Sequence, residues 1–593
     1  MSKEKSISAF CDEDYLKYAR YVVEERAIPS VIDGLKPTQR KVIFVANKVW
    51  KTGNEKPLKV FQLGGKVSSD AFYHHGDCLE YDTPILLEDG TYIKIGEWAT
   101  KFPEKSLRVV AYDEYNSKFV VAEALMPRIG QITDIEYEIE LENGELFRCT
   151  ENHPFLLKDG TWKIAKDLKE EDEIKSFIIE YFKITKITKK KLISPKTFYD
   201  ITVPGYENFV IGNSKIVVHN SALNLSIIGM AQSFKNSMPL LEEIGQFGSL
   251  RSKQAGAPRY IATKLHRNFR MLYKDFELLT PRYEEGNEIE PTYFLPIIPT
   301  VLLNGSSGIA VGFATNVLNR NAVDIIDACL NYLSGKKVSE LKPWIRGFNG
   351  IFNPDLMIPN RWKISGKYEI VNTTTVRITE LPPSITYEKY EKHLNSLIEK
   401  RILVSYDDNC SDNINYELKF QRVTLAEILK KDRLRAVLKM EEHETENLTV
   451  LDEHGKIKIF SSYKDIVRYF VDFRLQYFHK RKEYLVSILE SEVALLDNRS
   501  RFIKGIIDGT ILINRVPKDN IIKQLSDMKF DMLDGSYSYL LSMPIHSLTS
   551  EKYDELISIL KDKKIELEKA LALVPKEMYE NDLRALRKTL VKE

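Results

Sequence analysis

The sequence predicts a multidomain protein: a mixed α/β host chain interrupted by one compact all-β unit. Three observations predict it. At 593 residues the chain is too long for a single hydrophobic core. Its text changes character abruptly at Cys78, where YHHGD gives way to CLEYDTPILLEDGT. It changes back at Ser221, where a helical stripe resumes as SALNLSIIGMAQSF.

Hydrophobic content of 43% and charged content of 29% are those of an ordinary globular protein. No apolar run reaches the length of a membrane span, and MSKEKSISAF has no apolar core of signal-peptide length. The five cysteines, Cys11, Cys78, Cys149, Cys329 and Cys410, are scattered and form no CxxC pair, which argues against a disulfide framework or a structural zinc site. A cytoplasmic protein with no membrane partner and no metal ligands of its own is expected. The formal net charge of +1 hides an asymmetry. Residues 78–220 hold 19 basic and 25 acidic side chains, leaving 67 and 60 outside. The outer part is mildly basic, which permits a polyanionic partner; the inner part is not built for one.

From Asp12 to Val45 the pattern is helical, punctuated by Pro29 and by Gly34 to Pro37. Lys36, Arg40 and Lys41 cluster at a helix start, and by composition alone they fit a solvated helix face. Residues 78–220 carry many short β-rich runs, among them TPILLEDG, TYIKIG, LRVVAYD, LFRCT, NFVIG and KIVVHN. DG and NG turns at 89–90, 143–144 and 159–160 mark hairpins. With that unit deleted, Asp77 meets Ser221 and Gly-Asp-Ser opens a helix whose face is Leu223, Ile227, Met230, Ala231 and Phe234. The unit therefore interrupts an element rather than a loop tip. Residues 266–460 are mixed α/β. From 461 onward the chain is long-helical, broken near Gly505–Gly509, with a second long helix from Thr549. Two such helices fit either antiparallel arms or the end of a simple bundle.

The edges of the unit carry chemistry. Cys78 places a nucleophilic thiol beside the Asp77 carbonyl. Asn220 can attack its own carbonyl carbon through its side-chain amide, and the neighbouring His219 can assist the proton transfer. The whole of 78–220 resembles an intein, a self-splicing domain of the Hedgehog/intein (Hint) family. The resemblance rests on four blocks in order: CLEYDTPILLEDGT, then CTENHPFLL with Thr150 and His153, then FYDITVPGYENFV with Asp200, then KIVVHN before Ser221. One departure is Glu207, where many members carry histidine. The length of 143 residues leaves no room for a homing endonuclease, so the likeness is to a mini-intein. The resemblance implies that Cys78 makes a thioester with Asp77 while Thr150 and His153 orient the displaced amide. Ser221 then attacks the thioester, and Asn220 cyclises with help from His219 and Asp200. No metal or ATP is needed for that sequence.

With 78–220 removed, the host resembles the breakage-reunion subunit of type IIA DNA topoisomerases, above all the medium subunit of tailed-phage enzymes. RAIPSVIDGLKPTQRKV, YHHGD-SAL, IGQFGS, APRYIATKL, NGSSGIAVGFATN and LDEHGKIKIF carry it. The resemblance implies a winged-helix DNA-gate domain (1–77 and 221–265), an α/β tower (266–460) and coiled-coil arms forming a dimer gate (461–593). It gives Tyr260 the role of nucleophile on a DNA phosphodiester, with Arg259 stabilising the phosphate. Arg26, Lys36, Arg40, Lys41, His74 and His75 match backbone-holding positions, and Ile309 matches a wedge between base pairs. No ATP-binding or Toprim text is present, so ATP and Mg²⁺ are expected through ATPase/Toprim partner subunits. Double-stranded DNA and a second copy of the chain complete the expected partners, in a phage-infected bacterial cell. Two alternatives stand beside this reading: a DNA-binding scaffold without cleavage activity, and a Hint unit that only cleaves or is inactive.

Overall fold

The structure is a computed structural model. It describes residues 23–592 apart from 24–26, 52–54, 72–77, 114–117, 220–222, 411–412 and positions 152, 161, 204, 205, 207, 254, 257, 259, 285, 311, 534, 545 and 547. The chain forms two compact units. One comprises Met1–Lys274, Leu279–Ile325 and Glu340–Ile466; the other comprises Asp275–Leu278, Ile326–Ser339 and Val467–Glu593.

The first unit opens with α1 (Pro37–Val49), the two-residue strand β1 (Leu58–Lys59) and α2 (Val60–Asp70). The β-rich segment follows as β2 (Leu79–Glu80), β3 (Pro84–Leu86), β4 (Tyr92–Lys94), α3 (Ile95–Lys101), β5 (Leu107–Asp113), β6 (Lys118–Leu141) and β7 (Leu146–Cys149). It continues with β8 (Pro154–Leu156), β9 (Trp162–Ile164), β10 (Glu173–Lys175), β11 (Tyr181–Thr202), β12 (Asn208–Ile211) and β13 (Ile216–His219). The host resumes with α4 (Leu223–Ala231) and β14 (Ala262–Thr263).

Strands β2 to β13 make two six-stranded sheets, β10-β11-β2-β7-β6-β5 and β4-β3-β12-β13-β8-β9, and among the described residues they pair only with one another. Leu79, Ile85, Trp98, Phe147, Phe155, Phe209 and Val218 belong to one core whose buried members all lie between 79 and 203 or in 209–218. The three expected hairpin turns join β3 to β4, β6 to β7 and β8 to β9. Gly90, Gly144 and Gly160 sit there at φ of 83°, 83° and 82°, a left-handed conformation in which a Cβ is strained. The all-β expectation needs one correction: IGEWATK is a helix. Ile95 and Trp98, three apart, bury on one face, and the Trp98 indole donates to Lys105 O at 2.9 Å. That short signal hides behind the β-like text TYIKIG.

The host elements meet across this segment. β1 pairs antiparallel with β14, Leu58 opposite Thr263. α4 packs on α1 and α2. Leu223, Ile227, Met230 and Ala231 are buried as the periodicity requires, but α4 ends at Ala231. Phe234 therefore lies past the helix, in the turn where Gln232 O accepts Lys235 N. Further on, a four-stranded sheet (367–370, 375–380, 416–419 and 405–408) carries helices Tyr387–Glu399 and Arg422–Lys430 on one shared core.

In the second unit the helix α5 (Tyr463–Ile507, begun in the first) packs with α6 (Ser550–Ala572) and α7 (Pro575–Lys592). Phe478 stacks on Tyr579 at 4.5 Å and Arg481 pairs with Asp582 at 2.8 Å. Further along α5 from Phe478, Glu492 meets Lys563 at 3.0 Å. A small separate core of Phe502, Ile511, Leu525, Phe530, Tyr537 and Leu540 closes the end of α5. Among the described residues no helix is long and apolar enough to cross a membrane.

Candidate functional site

Two groups of residues matter, one in the host and one at the edge of the β-rich segment. In the host, β14 is held from both sides. β1 lies against one edge, and Ile244 bridges Ala262 and Leu241 bridges Leu265 on the other. Val60 N donates to Ile261 O at 3.2 Å, and Lys59 Nζ reaches Tyr260 O at 3.2 Å. Ile261 is thereby anchored in the core. Side chains alternate in extended chain, so its neighbour Tyr260 projects outward and is 69% exposed. A fixed backbone with an outward phenol suits a nucleophile that must meet a large polymer.

Lys36 caps the start of α1, and its ammonium reaches Ser307 O at 2.7 Å in the hairpin formed by Ser306–Ile309 and Ala314–Val317. Burial lowers its pKa from the usual lysine value. Gly308 is what permits the approach: a Cβ there would sit 2.3 Å from Ala27 O and 3.1 Å from Lys36 Nζ. Lys36 and the strand that ends in Ile309 are thus brought together, although of Ile309 only the backbone is described.

Arg40 and Lys41 make their polar contacts inside the protein. Arg40 is 7% exposed and forks onto Asp33, Nε to Oδ2 at 2.7 Å and NH2 to Oδ1 at 3.0 Å. Asp33 also accepts Leu35 N and Phe294 N, at 3.0 and 3.1 Å. Arg40 thus fastens the IDGLKP turn through a buried fork. Lys41 likewise faces inward, donating to Ala71 O at 2.6 Å and Glu290 at 3.1 Å. Asp33 escaped sequence reasoning because nothing in its spacing marks a partner seven residues away. Arg40→Ala is expected to cost about 3 kcal/mol of stability by stranding a buried carboxylate; a fall in the urea midpoint of unfolding reads it. Arg26, His74, His75 and Arg259 lie outside the described residues.

At the other centre, β2 lies between β7 and β11. Leu79 stands opposite Cys149 on one side and Tyr199 on the other. One step back, antiparallel register sets Cys78 between Thr150 and Asp200. The contacts agree. Cys78 N donates to Thr150 Oγ1 at 3.0 Å, and Thr150 N donates to Cys78 O at 2.9 Å. Cys78 and His153 are fully buried and Thr150 and Asp200 nearly so. His153 N donates to Thr150 O at 3.2 Å, and its ring meets Phe155 edge-on at 5.4 Å. Asp200 Oδ1 accepts Ile201 N at 2.8 Å. The turn from Thr150 to His153 leads from β7 in one sheet to β8 in the other. β8 pairs with β13, Phe155 opposite Val218, so the strand ending in His219 runs toward the same turn. The His219 side chain and all of Asn220, Ser221 and Glu207 are outside the described residues.

A charge network that sequence reading missed lies beside Cys78. Lys196 Nζ joins Glu80 at 3.1 Å and Glu136 at 2.8 Å. Arg148 and Lys190 both pair with Glu138, at 2.8 and 2.6 Å. The neighbouring Cys149 thiol is pushed well above its usual range by burial and then by Glu136, so it stays protonated. Among the described residues no three His, Cys, Asp or Glu side chains are grouped to hold a metal.

A fold with this two-part host and a tyrosine displayed ahead of a pinned strand has a defined family. The DNA gyrase/topoisomerase IV family model matches residues 26–89 and 212–584 and leaves 90–211 unmatched. The chain belongs to that family. It is 32% identical over 353 residues to the DNA topoisomerase medium subunit of Enterobacteria phage T4, spanning 59% of this chain and 78% of that one. It is 30% identical over 415 residues to DNA topoisomerase 2 of Plasmodium falciparum, spanning 62% of this chain and 30% of that one. Against human DNA topoisomerase 2-alpha the match is 31% over 412 residues, 61% of this chain and 27% of the other. The crystal structure of the Plasmodium falciparum topoisomerase II DNA-binding, cleavage and re-ligation domain superposes with a TM-score of 0.64 at 25% identity. That superposition covers 98% of this chain and 64% of the other. The chain spans about a third of the length of the eukaryotic relatives it matches.

Proposed function

We propose that the chain is the precursor of a type II DNA topoisomerase subunit that breaks and rejoins duplex DNA through Tyr260, and that residues 78–220 are a mini-intein of the Hint fold that removes itself. The observation that carries both halves is a single one. The family match stops at 89 and resumes at 212, while β1 and β14, and α2 and α4, complete the host across the interruption.

For the insertion, the Cys78 thiolate attacks the Asp77 carbonyl carbon. The Asp77–Cys78 C–N bond breaks and the freed amine takes a proton, leaving a thioester. Thr150 Oγ1 already holds the Cys78 amide and His153 is packed one turn away, which suits them to polarise and protonate the departing nitrogen. Ser221 Oγ displaces the Cys78 thiolate, forming an ester. The Asn220 side-chain nitrogen then attacks its own carbonyl carbon and expels the Ser221 amine, closing a succinimide. That amine recaptures the acyl group and restores a peptide between Asp77 and Ser221. The role given to Asp200 is support of the last cleavage, and Glu207 stands where other members use histidine.

For the host, the Tyr260 phenolate attacks a DNA phosphorus and releases a sugar hydroxyl, with Arg259 beside it for the phosphate charge. Lys36 and Ile309 take the backbone-holding and wedging roles, with Arg26, His74 and His75. Mg²⁺ and ATP are assigned to ATPase/Toprim partner subunits. Two copies, joined through the helices of 461–593, set one Tyr260 against each strand. The tower and winged-helix assignments follow the same reading.

Expression of the whole chain and weighing of the products tests it. A ligated chain of 450 residues and a free one of 143, together the 593 of the precursor, are expected. Intact chain, or separate 1–77 and 221–593 pieces, would refute splicing. For the ligated host with partner subunits, Lys36→Ala is expected to weaken duplex binding equally across sequences. It should also flatten the salt dependence by about one unit of log–log slope, read by fluorescence anisotropy.

A further inference from the structure

We propose that Lys196 is a positioning residue for the acyl shift, its ammonium tying the strands that carry Cys78 and Asp200 to the strand that faces Thr150. The inference rests on the splicing reading and adds to it a residue outside the four sequence blocks.

β2 is only two residues long, so very few backbone bonds hold Cys78 in register. Glu80 projects from the same side of that extended strand as Cys78, two residues on. Glu136 stands one step beyond the Tyr137–Cys149 pair, at the position in β6 that faces Thr150 across the ladder. Lys196 lies four residues before Asp200 on β11. One ammonium thus bridges β2, β6 and β11 at the level of the reacting groups. Glu136 is almost fully buried, with 4% of its side chain exposed, and its partner Lys196 has 35% exposed. Burial alone would lower the Lys196 pKa, but hydrogen bonds to Glu136 and Glu80 leave it above the usual lysine value.

The ladder itself explains why a clamp is needed there. Lys191 faces Ile135 and the next paired residue, Lys196, faces Thr133, so β11 advances five residues while β6 advances two. Leu192 to Pro195 loop out, and Ile193 is wholly exposed. Strand alternation cannot transmit register across such an irregularity. Lys196 is the first residue to re-engage, and everything from it to Asp200 takes its alignment from there. Two further register shifts follow, at Phe198/Tyr199 and Asp200/Thr202, which leaves few regular pairs to correct an error.

The test separates the two ends of the reaction in the full chain. Dithiothreitol intercepts the thioester and releases 1–77, which reports the Cys78 step. In a Cys78→Ala background, release of 221–593 reports the Asn220 step alone. Lys196→Met is expected to slow thiol-dependent release of 1–77 by about tenfold to a hundredfold, the cost of a small misplacement. Release of 221–593, which this lysine reaches only through Asp200, should fall clearly less, by about threefold at most, and Lys196→Arg should restore both rates. Glu80→Gln should move the same step in the same direction. Unchanged release of 1–77 in Lys196→Met overturns the inference while leaving splicing intact. An equal fall in both steps overturns it too, because that is loss of fold rather than of alignment. A parent chain that releases neither piece and does not ligate overturns the splicing reading and this inference with it.

Discussion

Tyr260→Phe will abolish the covalent protein–DNA adduct formed by the ligated host and its partner subunits, with duplex affinity little changed. Phenylalanine keeps the ring and removes the one atom that bonds to phosphorus, so the loss in cleavage should exceed about a thousandfold. Structural disturbance should be small. The backbone that leads on from Tyr260 is held by Ile261 in the core and by the Lys59 contact to the Tyr260 carbonyl, neither of which involves the phenol. Denaturant-trapped adducts on a radiolabelled duplex give the measurement, with binding followed separately. An adduct that survives in Tyr260→Phe would mean another of the 30 tyrosines is the nucleophile. A parent host that binds duplex and forms no adduct with complete partners would favour a scaffold instead.

The second large effect is at the seam. Cys78→Ala should eliminate the 450-residue product, a loss beyond about a thousandfold since no other group can make the thioester. Cys149 is the nearest alternative thiol among the described residues. It lies opposite Leu79 but is fully buried and held protonated, and it has no peptide bond of the host beside it. The Asn220 step should continue in this variant and yield 1–220 and 221–593. Adding Asn220→Ala should leave one chain of full length. Intact mass of the denatured products distinguishes all three states, and a 450-residue species from Cys78→Ala would defeat the mechanism.

Much of this was legible in the sequence because the signals were local. The DG and NG pairs mark three hairpins that the structure contains, and LRVVAYD is β5 from first residue to last. The long strands were not legible. KITKIT and FYDITV read as separate runs, yet the first and all but the last residue of the second belong to the 22-residue β11, because bulges interrupt the alternation that would have joined them. Site residues divide in the same way. Cys78, Thr150, His153 and Asp200 announce themselves by block order, and the register then gathers the first, second and fourth. The internal contacts of Arg40 and Lys41 were not legible, since charge in a sequence does not say which way a side chain points. Asp33, Glu80, Glu136 and Lys196 carry no local mark at all; their partners lie up to 261 residues away in the case of Asp33 and Phe294.

The pairing of β1 with β14 and of α2 with α4 has a practical corollary. These contacts owe nothing to the backbone that joins their partners, so a chain cut at Cys78 or Asn220 would behave as complementing fragments. The short piece would stay docked, comigrate under native conditions and pass for an unbroken polypeptide.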